Sequence, residues 1–333
     1  MEIDFVVLWV DGNDTQWQAE KAKYQGRILD DSNAAHRFRD WGLMPYWFRA
    51  VEKFCPWVRK VHFVTCGHVP EFLNLDCPKL NHVKHSDYIP GEYLPTFSAN
   101  TIEMNIHRIP DLAEHFVFFN DDMFLTRPMA ETDFFREGLP CTYGAEVPFS
   151  VAGQPGIWQH LIVNDLRVIN NHFCKPEQVA KYRRKYAAGC CRWQDNVRTL
   201  VLEKLFPDCF LGFKNLHAPA AFLKSTFETL WKKEPALLQQ TCCNRFRSND
   251  DVNQWLALWW QVADGQFMPH MVDNVVEDVT KETIDTLCDT IRGQHHNMVC
   301  VNDPSDQVDF AKLSARLKES FAAILPEKSR FEK

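Results

Sequence analysis

Acidic side chains stand at three places where a predicted strand ends. The segments are Asp11-Gly12-Asn13-Asp14 after the apolar run 3–10, Asn120-Asp121-Asp122 after the run 115–119, and Asn302-Asp303 after the run 298–301. Carboxylate oxygens are the ligands that Mg²⁺ and Mn²⁺ prefer, and a bound cation attracts phosphate oxygens. The pattern therefore indicates a metal-assisted phosphate site, whereas each segment taken alone also fits an ordinary turn with solvated acids.

Other segments carry side chains that could move a proton or hold a phosphate. Imidazole ordinarily titrates near neutral pH, so His217 could accept a proton from a hydroxyl, although a lone histidine is often structural. Arg245 and Arg247 flank one aromatic residue, and an extended backbone would place both guanidinium groups on the same side to bind phosphate oxygens. Arg37 and Arg39 repeat this spacing, and surface arginine pairs are the alternative for both segments.

These residues need a scaffold that brings strand ends together. Apolar runs at 3–10, 60–65 and 115–119 alternate with helical patterns at 45–54 and 98–109, which predicts a mostly parallel α/β sheet flanked by helices. Ligands of such sheets bind at the carboxyl ends of the strands. We expect an α/β core over 1–150, a mostly helical insert or acceptor region over 151–294, and a return strand with a C-terminal helix over 295–333.

Composition limits the classes of partner. The chain has 333 residues, a formal net charge of -7 and a pI of about 6.0, so it lacks the basic field that nucleic acid requires, and we expect no nucleic-acid partner. Its twelve cysteines include no CxxC pair, which favours free thiols over zinc or disulfides. No secretory signal pattern or membrane-spanning run is apparent, and this predicts a cytoplasmic protein.

Several long segments resemble the conserved regions of the Stealth family. IDFVVLWVDGNDTQW, then RFRDWGLMPYWFRAVEKFCPWVRKVHFVTCGHVPEFLN and YLPTFSANTIEMNIHRIPDLAEHFVFFNDDMFL resemble its first two regions in order and spacing. NLHAPAAFLKSTFETLWKKE and TCCNRFRSNDDVNQW resemble the third region, and MVCVNDP the fourth. The resemblance implies a GT-A-like nucleotide-sugar-transferase sheet. It also implies transfer of hexose-1-phosphate from a nucleotide sugar, typically a UDP-sugar such as UDP-GlcNAc, to a carbohydrate hydroxyl during capsule or exopolysaccharide synthesis.

The resemblance also implies a role for each candidate residue. His217 would be the base, Asp121 an acid at the reaction centre, and Arg245 and Arg247 the cations around the transferred phosphoryl group. Mg²⁺ or Mn²⁺ would be held by Asp122 and Asp303. The substrate-binding set would be Asp11, Gly12, Asn13, Asp14, Arg39, Arg49, Asn100 and Glu103. The chain departs from the family pattern at 43–46, where a basic residue is missing, and at 98–100.

Two alternatives remain at this point: a metal-dependent glycosyltransferase that breaks the anomeric bond, and a non-catalytic nucleotide-sugar-binding protein. The acceptor is expected to be an oligo- or polysaccharide. Tryptophans of the helical region could form its groove, although core packing is the simpler interpretation for Trp255 and Trp259. We further expect peripheral association with membrane-bound polysaccharide export machinery at the inner face of the cell membrane.

Overall fold

The computed structural model describes residues 1–25, 38–150, 153–303 and 309–333, and its elements are as follows. The strands are β1 (Ile3–Leu8), β2 (Val61–Thr65), β3 (Leu80–Lys84), β4 (His115–Phe119), β5 (Met123–Leu125), β6 (Phe135–Arg136), β7 (Leu139–Thr142), β8 (Ala220–Leu223), β9 (Met268–Pro269), β10 (Asn274–Asp278) and β11 (Met298–Asn302). The helices are α1 (Thr15–Gln25), α2 (Met44–Phe54), α3 (His85–Tyr88), α4 (Ala99–Met104), α5 (Glu131–Phe134), α6 (Ile157–His172), α7 (Lys175–Tyr186), α8 (Trp193–Leu205), α9 (Lys224–Lys233), α10 (Pro235–Cys243), α11 (Gln254–Ala263), α12 (Ile284–Gly293) and α13 (Phe310–Ile324).

A five-stranded sheet in the order β3-β2-β1-β4-β8 forms the centre of the fold. The first four strands are parallel, and β8 is antiparallel to β4 at one edge. Residues of β1 and β4 are almost all buried, because both faces of the sheet are covered. The prediction of a mostly parallel α/β fold is therefore confirmed. Because β1 and β4 are parallel neighbours, the loops that follow them start at the same end of the sheet, where the carboxyl ends of both strands lie.

Alternate residues of the strands belong to two hydrophobic layers. Phe5 and Val7 pack with α2, α12 and α13 on one face, whereas Val6 packs with α6, α9 and α11 on the other. The helical pattern predicted at 45–54 is confirmed as α2, which starts with Pro45 in its first turn and buries its apolar face. The described helices include none long and apolar enough to cross a bilayer.

Two elements differ from the sequence-based domain outline. The return strand β11 does not join the main sheet but pairs antiparallel with β5 and parallel with β10 in a small second sheet. The region 151–294 is mostly helical as expected, yet it supplies β8 to the main sheet and three helices to one of its faces. It is therefore part of the core and not a separate insert.

Candidate active site

A cavity of about 370 Å³ opens where β1 and β4 end, and its walls bring together residues from widely separated parts of the chain. The sequence-predicted residues that line it are Arg39, Asn100, Glu103, Asp121, Asp122, His217, Arg247 and Asp303. The loops that follow parallel strands all start at the carboxyl end of the sheet, so the position of the cavity follows from the sheet topology.

Two of the three acidic segments meet in this cavity because β11 runs back along the turn between β4 and β5. The Val301 backbone N–H donates to the carbonyl oxygen of Asp122 at 2.8 Å, and Cys300 pairs with Met123 in the antiparallel register. The chain therefore carries Asp303 past Asp121 and Asp122 at the cavity wall.

The carboxyl groups of this cluster lie close together in the partly desolvated cavity and disfavour one another's ionisation. Desolvation by the surrounding cavity wall raises the pKa of Asp121 to about 7, with further contributions from the charges of Asp122 and Asp40. Burial also raises the pKa of Asp122, an effect that a protonated His217 would oppose. A cavity so rich in carboxylates is suited to a cation.

The surroundings of the Asp122 carboxyl group indicate whether a divalent metal would fit there. Its Oδ1 is buried and has no hydrogen-bond partner among the described residues, while its Oδ2 accepts from the Cys300 thiol at 3.3 Å. Ligand atoms of Asp122, His217 and Cys300 lie within 4.8 Å of one another. Burial and Asp122 raise the pKa of Cys300, so the thiol stays protonated and is a poor ligand. An unpaired buried carboxylate oxygen fits Mg²⁺ or Mn²⁺.

His217 is held in an uncommon backbone conformation. Its φ of 48° lies in the left-handed region, which costs a non-glycine residue on the order of 1 kcal/mol. Two contacts fix the turn: the His217 N–H donates to Asn215 Oδ1 at 2.8 Å, and Asn274 Nδ2 donates to the Leu216 carbonyl at 2.8 Å. This turn places the imidazole beside Asp122.

Arg39 and Asp303 form a two-pronged ion pair in the cavity wall. Arg39 Nε donates to Asp303 Oδ2 at 2.8 Å, and a terminal nitrogen of Arg39 donates to Oδ1 at 2.6 Å. Both carboxylate oxygens of Asp303 therefore face a guanidinium group, so its role as a metal ligand stays a prediction.

The two arginines around Phe246 do not point to the same place. Arg247 lines the cavity, and its positive charge opposes the rise in the pKa of Asp121. Arg245 instead donates to the Pro95 carbonyl at 2.8 Å and lies 4.8 Å from the ring of Tyr24. Only the second arginine of the motif reaches the cavity, since Arg245 is not among the described residues that line it.

Asn100 and Glu103 lie on α4 and connect it to the first residue of α11 and the segment before it. Asn100 Nδ2 donates to Asp251 Oδ2 at 2.8 Å, and Glu103 Oε2 accepts from the Gln254 N–H at 3.1 Å. Burial raises the pKa of Glu103 to about 7. Both residues therefore support the wall that they line.

The loop Asp11-Gly12-Asn13-Asp14 follows β1, but these four residues are not among the described residues of the cavity wall. Asp14 caps α1, because its Oδ1 accepts from the Trp17 N–H at 2.7 Å. Asp11 Oδ1 accepts from the Asn13 N–H at 2.9 Å. A side chain at Gly12 would overlap the Phe38 carbonyl. The loop is thus firmly built, and its contact with a substrate stays a prediction.

Arg49 lies on α2 and is bound to the C-terminal segment. Its guanidinium group donates to both carboxylate oxygens of Glu332, at 2.9 and 2.8 Å for the shortest contact with each, and to the Leu325 carbonyl at 3.0 Å. It is not among the described residues of the cavity wall. Arg49 therefore has a structural partner, and its contact with a substrate stays a prediction.

Sequence reasoning missed some residues of the cavity. Asp40 lines it and raises the pKa of Asp121, and its position directly after Arg39 was the available signal. Trp158, by contrast, is one of the tryptophans predicted for the acceptor groove, and it is half-exposed at the cavity wall with its ring centroid 5.9 Å from that of Phe149. Trp259 is buried, which confirms core packing for that side chain.

Comparison with known proteins identifies two matching family models and several relatives that align over the whole chain. Stealth protein CR1, conserved region 1, matches residues 1–28, and Stealth protein CR2, conserved region 2, matches residues 37–141. The capsular polysaccharide phosphotransferase WcwK of Streptococcus pneumoniae is 38% identical over 99% of both chains. The receptor polysaccharide phosphotransferase WefC of Streptococcus gordonii is also 38% identical over 99% of both. The exopolysaccharide phosphotransferase cps2G of Lactiplantibacillus plantarum is 35% identical over 100% of this chain and 96% of its own.

Identity at this level over whole chains places the protein among the transferase enzymes. It belongs to the Stealth family. The structure of mouse xyloside xylosyltransferase 1 aligns with 91% of this chain and 98% of its own at 13% identity, with a TM-score of 0.35.

Proposed function

We propose that this enzyme transfers a hexose-1-phosphate from a nucleotide sugar, a UDP-sugar such as UDP-GlcNAc, to a hydroxyl of an oligo- or polysaccharide. The names of its full-length relatives support phosphotransfer in polysaccharide synthesis. The observation that carries the reaction type is one cavity that combines Asp121 and Asp122 with His217 and Arg247. Phosphoryl transfer needs this combination of a cation site, a base and a fixed positive charge.

His217 is the proposed base. The acceptor hydroxyl attacks the phosphorus attached to the sugar while His217 takes its proton, a new P–O bond forms, and the bond to the nucleoside monophosphate breaks. Arg247 stabilises the negative charge on the transferred phosphoryl group, and Asp121 lies beside the reaction centre. The bond from C1 of the sugar to oxygen stays intact, so the product is a phosphodiester with the anomeric configuration of the donor.

The buried, unpaired Oδ1 of Asp122 supports it as the first ligand of Mg²⁺ or Mn²⁺. A divalent ion there would neutralise and polarise phosphate oxygens of the donor. Asp303 would contribute once Arg39 leaves it for a phosphate, because Arg39 now occupies both of its oxygens. We assign positioning roles to Arg49 and Arg245, whose guanidinium groups are held by Glu332 and the Pro95 carbonyl.

The donor is proposed to lie along the loop after β1 in a GT-A-like arrangement, and the acceptor to approach past Trp158. An indole that is 51% exposed at the cavity wall offers a flat apolar surface for a sugar ring. The enzyme would work in the cytoplasm at the inner face of the membrane, close to the polysaccharide export machinery.

A thermal-shift screen of nucleotide sugars with and without Mg²⁺ tests this proposal, because a ligand that binds the native state raises the unfolding midpoint. We expect a UDP-sugar with Mg²⁺ to give the largest shift, and Asp122→Asn to lose the metal-dependent part. The exposed Asp208 offers a matched control, and Asp208→Asn should respond like the parent. A metal-dependent shift retained in Asp122→Asn would rule out the proposed ligand, and no shift with any nucleotide sugar would rule out the donor class.

A further inference from the structure

Helix α8 has its polar and apolar faces reversed relative to an ordinary surface helix. Its buried side chains include Asp195 and Thr199, which contact Tyr143 and Glu146. The outward face carries Trp193, Val197, Leu200, Val201 and Leu205, and Phe206 follows the last turn. These positions recur at helical spacing, so they form one continuous apolar stripe, which we call the α8 stripe.

The α8 stripe is exposed to an unusual degree. Trp193 is 71% exposed and Leu205 is 66% exposed, at opposite ends of the helix, and Val197 between them is 51% exposed. Scattered apolar residues on a surface are ordinary, but a contiguous stripe rimmed by polar residues marks a docking surface. Because α8 is anchored through its polar face, it cannot turn the stripe inward without breaking those contacts.

Positive charge surrounds the stripe. Residues 175–206 contain eight lysines and arginines against three acids; without Lys175, which is buried and paired with Glu146, this leaves a net charge of +4 in a chain whose total is -7. Arg183 contacts Glu203 at 3.1 Å, so the exposed basic end of α7 lies alongside α8. Arg184, Arg192 and Lys204 are exposed and form no ion pair with any described residue.

We propose that the α8 stripe docks on an anionic lipid surface. A helix with Trp and Leu on one face and Lys and Arg around it inserts its apolar side into the headgroup region, while the cations remain near lipid phosphates. A second copy of this chain is disfavoured, because a two-fold contact through the stripe would bring the basic residues of both copies together. The proposal is independent of the proposed reaction, since none of the stripe residues lines the cavity.

The position of α8 connects the surface to the site. Asp195 accepts from Lys214 Nζ at 2.8 Å, and Lys214 lies three residues before His217. A protein docked through the stripe would therefore hold the segment that carries His217 close to the lipid surface, where an acceptor attached to the membrane would be presented.

Co-sedimentation with vesicles tests the proposal. The full chain should sediment with phosphatidylcholine vesicles that contain phosphatidylglycerol, and much less with phosphatidylcholine alone. The double variant Trp193→Ser, Val201→Ser should bind at least about tenfold more weakly, because it removes the apolar area that inserts. Arg192→Glu with Lys204→Glu should weaken binding and reduce its salt dependence. Leu75→Ser, at an exposed apolar residue elsewhere, should bind like the parent.

Unchanged unfolding midpoints would show that the exposed-residue variants are folded. Binding of the stripe variant at parent strength, or no binding of the parent to anionic vesicles, would overturn the proposal. A parent dimer in sedimentation velocity that Val201→Ser abolishes would assign the stripe to a second copy instead. Transfer to a soluble oligosaccharide without vesicles should be unaffected in the stripe variant, so failure of the reaction and failure of docking are separately visible.

Discussion

His217 is the residue on which the proposed chemistry depends most. A strained turn, fixed by Asn215 and Asn274, holds its imidazole beside Asp122. We predict that His217→Ala reduces transfer from a UDP-sugar to acceptor by about a hundred- to ten-thousandfold, as expected for loss of a general base. The rate of nucleoside monophosphate release with acceptor present measures this effect. His295→Asn, at an exposed histidine, is the control, and parent-rate release by His217→Ala would exclude it as the base.

The raised pKa of Glu103 predicts that the stability of the fold depends on pH. Burial raises the pKa of Glu103 from 4.5 to about 7, so the folded protein binds a proton there that the unfolded chain has lost. The folded state is therefore destabilised as pH rises through this window, by at most about 1.4 kcal/mol per pH unit. Glu103→Gln keeps an acceptor for the Gln254 N–H, and its free energy of unfolding should fall less steeply between pH 5 and 7.

Denaturant unfolding at several pH values in a chelating buffer measures how steeply the free energy of unfolding falls with pH in the parent and in Glu103→Gln. Glu71→Gln, at an exposed glutamate, should keep the parent slope. Equal slopes for Glu103→Gln and the parent would show that Glu103 titrates as an ordinary solvated acid.

At the scale of single elements, Asp14 at the start of α1 has two candidate roles, capping the helix and binding the donor. Asp14 accepts the Trp17 N–H at the start of α1, and its loss should cost about 1 kcal/mol. We predict that Asp14→Ala destabilises the protein, whereas Asp14→Ser restores the cap. Thermal unfolding and donor affinity are measured on both. If Asp14→Ser is stable but loses donor affinity, the carboxylate contacts the donor; if both are retained, Asp14 acts only as a cap.

Helix α2 is joined to the C-terminal segment by Arg49 and Glu332. Their side chains are 14% and 3% exposed, so removal of Arg49 leaves a largely buried carboxylate unpaired. We predict that Arg49→Met lowers the free energy of unfolding by about 2 to 4 kcal/mol, with little change in turnover per folded molecule. Urea unfolding and activity are compared with Arg330→Met, whose partner Glu52 is in an exposed pair and whose loss should matter far less. An Arg49→Met protein of parent stability without activity would restore the predicted substrate role.

The sequence predicted elements well where one pattern decided the structure. The apolar runs of β1 and β4 and the helical spacing of α2 are strong local signals, and the acids that follow β4 reach the cavity as expected. The strand β8 was missed because Ala220–Leu223 is four residues long and lies among helices. The direction of Arg245 was missed because its partner, the Pro95 carbonyl, lies 150 residues away in the chain.

At the scale of the whole molecule, the parallel sheet predicted from the sequence indicated where the site lies. The electrostatics of the site could not be predicted from the sequence. Paired acids after β4 suggested a metal, yet the orphan Oδ1 of Asp122, the rise in the pKa of Asp121 and the Arg39–Asp303 pair depend on tertiary contacts. The exposure of the α8 stripe could also not be predicted from the sequence, because an amphipathic helix is normally assumed to bury its apolar face.

In the proposed reaction, the acceptor hydroxyl attacks phosphorus and not the anomeric carbon. Phosphorus NMR of the reaction mixture, with the nucleotide sugar that stabilises the protein most and a soluble acceptor, tests it directly. We predict a new phosphodiester signal together with nucleoside monophosphate. Formation of nucleoside diphosphate without a phosphodiester signal would show that the anomeric bond breaks, and would contradict hexose-1-phosphate transfer.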